Sequence, residues 1–158
     1  MTEEQLQKFY DMAEPRSENA IRKAEERKMR REDKELLLKD LCSRLPYGVM
    51  CKFTDTFDGC EVDNVLQPDD ISDMFRHRSH CDSRIHVKPY LRPMSSMTKE
   101  EYNEVGDLLK AEDPSLNLNE VMATIEIDWL NAHHFDYRGL IPKGLAIEVT
   151  EENNPYKE

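Results

Sequence analysis

The densest run of chemically capable side chains lies between Trp129 and Arg138, in WLNAHHFDYR. His133 and His134 can exchange protons near neutrality or bind a metal, and Asp136 is close enough in sequence to fix a tautomer. That would make a small hydrolase site. Neighbouring histidines on a helix, however, point about 100° apart and do not converge on one ion as an i,i+4 pair does. The same residues also suit a helix end. Trp129, Leu130 and Phe135 would then pack a core and one histidine would donate to a nearby carbonyl. Asp136 would cap the next turn, and Arg138 would pair with a carboxylate. A third use is recognition, because Trp129, Tyr137 and Arg138 are of the types that anchor interfaces.

A second concentration is cationic: Arg76, His77, Arg78, His80 and Cys81, then Arg84, His86, Lys88 and Arg92. In a chain of net charge −11 this is a local island. Arg76, Arg78 and Arg84 could hold a phosphate, a nucleotide or nucleic acid. The bland alternative is a solvated loop whose arginines pair with the many acids elsewhere. His77, His80, Cys81 and His86 are zinc-ligand types, but their spacing fits no paired knuckle and the chain has no CxxC. A third stretch, Pro89 to Met97, reads either as a binding loop with adaptable methionines or as a strand-to-helix connection. In the second case Tyr90, Leu91, Met94 and Met97 plug the core. There is no GxxxxGK[ST] loop, GxGxxG, GxSxG elbow or HExxH. No metal, cofactor or catalytic residue is expected, and the balance is against an enzyme.

The elements that must position these residues follow from pattern. At 158 residues the chain fits one domain of ordinary size. Residues 1–33 read as a charged helical arm with acid-to-base i,i+4 pairs such as Glu26 and Arg30. Residues 34–150 read as a single α+β domain, opening on the apolar face of Leu36, Leu37, Leu38, Leu41 and Leu45. A strand over 47–53 and a partner over 60–66 flank a hairpin turn at Asp58-Gly59, and Gln67-Pro68-Asp69-Asp70 ends the second strand. Residues 70–84 read as loop with one helical turn. Residues 85–91 read as an edge strand because of Pro89.

Thr98 and Glu101 form a capping box for a helix that turns Tyr102, Val105, Leu108 and Leu109 inward. Two short helices follow, over 118–124 and from Trp129 to about His134, the second capped by Asp128. Asp136 caps one more turn, residues 145–149 return as a strand, and 151–158 form a flexible tail. The expected architecture is a small antiparallel sheet packed by short C-terminal helices, with barrel-like closure as a variant. No apolar run approaches the roughly 18 residues needed to span a bilayer, and no secretory signal is visible. Cys42, Cys51, Cys60 and Cys81 read as free, mostly buried thiols.

The strings KELLLKDLCSRLPYGVMCKF, VKPYLRPMSSMTKEEY and DWLNAHHFDYRGLIPKGLAIE, in this order, resemble an uncharacterised family. It is common in gut anaerobic bacteria and in their phages and prophages. The resemblance covers about residues 34–149 and implies a mobile-element setting in the bacterial cytoplasm, but no reaction. The expectation is therefore a non-enzymatic binding or accessory protein acting on a host or phage protein. Its surface would be Trp129, His133, His134, Asp136, Tyr137 and Arg138, with self-association through the arm. A nucleic-acid or nucleotide binder using residues 76–92 is the alternative, and a hydrolase using His133, His134 and Asp136 the third reading.

Overall fold

The structure is a computed structural model. It describes residues 30–55, 58–76, 85–110 and 118–157, without the side chains of 74–76, 109–110 and 118–122. Chain contacts separate two compact units, Met1–Leu36 and Leu37–Glu158. In the first, residues 30–36 are helical and Arg31 pairs with Glu35 on an exposed surface at 3.6 Å. The rest of the expected arm lies outside the described residues.

The second unit is α+β, with an open four-stranded mixed sheet. Helix α1, over residues 30–44, passes through a 3-10 turn, Leu45–Tyr47, into β1, Met50–Asp55. Then come β2, Glu61–Val65, α2, Pro68–Arg76, and β3, Ile85–Leu91. Helices α3, Lys99–Lys110, and α4, Leu118–Ala132, precede the two-residue β4, Ile147–Glu148. Strand order is β2-β1-β3-β4.

The hairpin forms where Asp58-Gly59 placed it. Asp55 N donates to Cys60 O at 2.9 Å, and Gly59 has φ 72°. The bond from Leu66 N to Val49 O, at 3.0 Å, marks another hydrogen-bonded pair. Between these two, the register Phe53↔Val62 and Cys51↔Asn64 alternates as an antiparallel ladder must. Val49 and Cys51 of β1 and Val87 and Leu91 of β3 are buried with Leu41, Leu66, Ile71, Leu140 and Ala146. The opposite sheet face carries Lys52, Glu61, Asp63, His86 and Lys88, as period-two alternation requires.

Several expectations are corrected. The sheet is mixed and does not close into a barrel. The connection from β3 to β4 carries two helices, and such a crossover returns the chain parallel, pairing Tyr90↔Ile147 and Leu91↔Glu148. Pro89 therefore sits in an interior strand. β4 begins only opposite Tyr90, so at Pro89 the strand is still an edge on that side and no ladder bond is lost there. Residues 68–76 are a helix because Pro68 occupies its first position and Asp70 Oδ2 accepts from Gln67 N at 2.8 Å. Helix α4 is continuous, with Asp128 an exposed interior residue rather than a cap. On α3, Val105 packs inward, but Tyr102 is 70% and Leu108 42% exposed, because this helix meets α4 over a narrow strip. Met94 is likewise largely exposed, while Met97 joins the core. Of the described cysteines only Cys51 is buried, its thiol pushed up to about 12 by burial, and Cys42 and Cys60 are exposed. No helix among the described residues is long and apolar enough to cross a membrane.

Candidate functional site

The segment after Trp129 is built around the end of α4. Phe135 N donates to Leu130 O at 2.9 Å and His134 N to Asn131 O at 3.1 Å. This six-to-one and five-to-two pair is a Schellman ending, and it requires a left-handed residue at the position His134 occupies. His134 has φ 59°, the one non-glycine residue with positive φ among those described. Phe135 completes the ending by stacking on Trp129, 5.7 Å between ring centroids. Trp129, Leu130 and Phe135 form a second core cluster with Met97, Val105 and Tyr137.

β3 continues into this turn. Arg92 N donates to His134 O and Asp136 N to Arg92 O, both at 2.8 Å. The Arg92 guanidinium lies 4.2 Å from the Phe135 ring centroid and grips both oxygens of Glu101 at 2.7 and 3.0 Å. Glu101 in turn closes the capping box of α3: Thr98 N donates to Glu101 Oε2 at 2.8 Å and Glu101 N to Thr98 Oγ1 at 3.2 Å. The Arg92 hydrogen bond above all holds the Glu101 carboxyl down at about 2, so the pair is ionised at neutral pH.

Beyond Phe135 the polar residues are consumed by the fold. Asp136 accepts Leu140 N and Ile141 N, each at 2.8 Å, one per carboxylate oxygen. The Arg138 Nε lies 3.3 Å from Asp40 Oδ1 and donates to Tyr137 Oη at 3.2 Å, and Tyr137 Oη donates to Asn131 at 3.0 Å. Asp40 and Arg44 are completely buried. Arg44 Nε donates to Asp40 Oδ2 and Arg44 Nη2 to the Phe135 carbonyl, both at 2.7 Å. Both arginines lie over the Tyr137 ring, with Arg44 at 5.4 Å and Arg138 at 5.0 Å from its centroid. Asp40 and Arg44 are residues that sequence reasoning missed. Their signal was an acid and a base four apart inside a leucine-rich stretch.

The two histidines have a different fate. His133 stacks on Trp129 at 3.8 Å and His134 on Tyr156 at 4.1 Å. Together with Arg92, Ala132, Asn154 and Tyr156 they line an open cleft of about 430 Å³. His133 Nδ1 lies 2.9 Å from the Trp129 carbonyl, so that nitrogen carries the proton. His134 is held down at about 4, chiefly by burial and then by Arg44, His133 and Arg92, so it is neutral at pH 7.

Tyr156 reaches the cleft from residues expected to be a flexible tail. Its hydroxyl accepts from Met50 N at 3.1 Å and donates to Tyr90 O at 2.9 Å. The β1–β3 register continues from Cys51↔Pro89 to Met50 opposite Tyr90, so the hydroxyl bridges the next rung of the ladder. Nothing in the local sequence announced that contact.

The cationic island is only partly in view. Arg78 and Arg84, with His77, His80 and Cys81, lie outside the described residues, as does the Arg76 side chain. His86 and Lys88 are exposed on the polar sheet face beside Lys52, which donates to Glu61 at 3.1 Å. Among the described residues, no group of three or more His, Cys, Asp or Glu side chains is placed to hold a metal ion. No protein-family model matches the chain, and comparison with curated proteins and with solved structures gives no match.

Proposed function

We propose that the chain is a non-enzymatic binding protein that captures a segment of a partner protein in the cleft at the end of α4. In the setting implied by the sequence resemblance, that partner is a host or phage protein. One observation carries the reading. Within Trp129–Arg138, only the two imidazoles are both held in place by stacking and part of the lining of the open cleft. Acid–base work by His133 or His134 with Asp136 is poorly supported, because both Asp136 oxygens are committed to backbone N–H groups. Arg138 and Tyr137 act as braces for the buried Asp40 rather than as part of the cleft.

The test is a pull-down with cross-linking from a bacterial lysate, comparing wild type, His133→Ala and the surface control Tyr102→Ala. Support requires a specific protein recovered by wild type and Tyr102→Ala and lost by His133→Ala at unchanged melting temperature. Equal recovery by all three would overturn the reading. Nucleic acid recovered instead, and released by rising salt, would favour the cationic segment 76–92.

A further inference from the structure

The chemistry left in the cleft says what it can take. Arg92 offers no free charge, because both its terminal nitrogens bind Glu101. His134 is neutral. Asn154 accepts Tyr156 N on Oδ1 at 2.9 Å, which leaves its Nδ2 donors unspent. Tyr156 spends its hydroxyl on Met50 and Tyr90 and presents its ring. Among the described residues the cleft is therefore polar and carries no unpaired charge.

The tautomers of the two histidines are set by what lies behind them. His133 Nδ1 donates to the Trp129 carbonyl, so in the neutral form of the ring the lone pair is on Nε2. The His133 ring is part of the cleft lining. His134 is arranged the other way round. Its Nδ1 is a buried nitrogen with no partner among the described residues. A buried nitrogen without a partner is better tolerated as a lone pair than as an orphaned N–H donor. The proton therefore resides on Nε2 of a ring that lines the cleft.

We propose that His133 and His134 together read a neutral amide: His133 Nε2 accepts its N–H, and His134 Nε2–H donates to its carbonyl. Adjacent rings that stack on different partners, Trp129 and Tyr156, are unsuited to gripping one ion but supply one cleft with an acceptor and a donor. A peptide group offers the complementary pair, and its flanking carbons meet the Tyr156 ring and the Ala132 methyl. A histidine at a position where glycine is the default accepts backbone strain. The amide reading gives that strain a purpose that stacking on Tyr156 alone does not. This inference rests on the cleft being the protein-binding site, and it names the chemistry of the bound segment.

The test is nitrogen-15 NMR of the histidine rings in the full chain, then titration with small probes. The expected result is a protonated Nδ1 on His133 and a protonated Nε2 on His134. N-methylacetamide, standing for main chain, and acetamide, standing for Asn or Gln side chains, should shift both rings saturably. The stronger of the two identifies the source. Acetate and methylammonium should give no saturable shift. His133→Ala should abolish the response. His134→Asn, which tolerates the left-handed backbone and retains a donor, should keep at least part of it.

A proton on His134 Nδ1, or an equal response to acetate, would overturn the proposal, and so would the absence of any saturable shift from either amide. The two ideas separate cleanly. Recovery of a partner that depends on His133 without an amide response leaves the protein-binding reading standing and removes this one. An amide response without such recovery does the reverse.

Discussion

From Phe135 to Arg138 polar groups are drawn into the fold: a carbonyl to Arg44, a carboxylate to two backbone donors, a guanidinium against Asp40. Immediately before them, His133 and His134 are held chiefly by ring stacking, with His133 Nδ1 also bonded to the Trp129 carbonyl, and both line the cleft. Stacking fixes a side chain without using up its donors and acceptors. Hydrogen bonding fixes it by using them. The same ten residues thus supply both a cornerstone and two rings of the cleft lining.

The sharpest way to break this contrast is at the cornerstone. Arg44→Ala strands Asp40 with no exposure to water and removes the donor to the Phe135 carbonyl, so a loss of about 3–5 kcal/mol is expected from chemical denaturation. A loss below about 1 kcal/mol would mean that the buried cluster is ornamental. Next is Tyr156→Phe, which keeps the ring on His134 but leaves Met50 N and Tyr90 O without their bridge. The expected cost is about 1–3 kcal/mol, with faster hydrogen exchange at Met50. Thr98→Ala removes one half of the capping box and should cost about 1 kcal/mol, read from the melting temperature.

Smallest in stability is His134→Gly. Relief of the left-handed backbone and loss of the Tyr156 stack oppose each other, leaving a change within about 1 kcal/mol while partner recovery is lost. Unchanged recovery would move recognition away from this ring.

Acidity sharpens the same comparison. The folded value for His134, about 4, lies below the ordinary histidine value of about 6.5, so the unfolded chain binds its proton first. Its contribution is fully present above about 6.5 and is lost as pH falls toward about 4. Glu101, held at about 2, keeps its contribution through that interval and loses it between about 4.5 and 2. Melting temperature against pH should therefore fall in two steps, and His134→Asn should flatten the upper one alone.

Local signals were the legible ones. Asp58-Gly59, the Thr98 and Glu101 box and the Asp136 cap each involve residues two to five apart, and each is in place. Signals with two local meanings failed. Gln67-Pro68-Asp69-Asp70 ends a strand and starts a helix in the same four residues, and Asp128 looks like a cap until α4 is seen to run through it. Long-range facts left no local trace. The burial of Arg44 depends on a carbonyl 91 residues away, and the parallel direction of β4 depends on the whole crossover. In the candidate site the histidines were visible, but Arg92, Asn154 and Tyr156, which complete the cleft, came from elsewhere in the chain.

The Tyr156 bridge also has a history during synthesis. Its two partners precede it by 106 and 66 residues. At roughly 5–20 residues per second, the ribosome makes Met50 some 5–20 s before the hydroxyl that will join it to Tyr90. Until then the end of the β1–β3 ladder is an open zipper in the nascent chain. The cleft acquires the Tyr156 ring only when that residue is delivered.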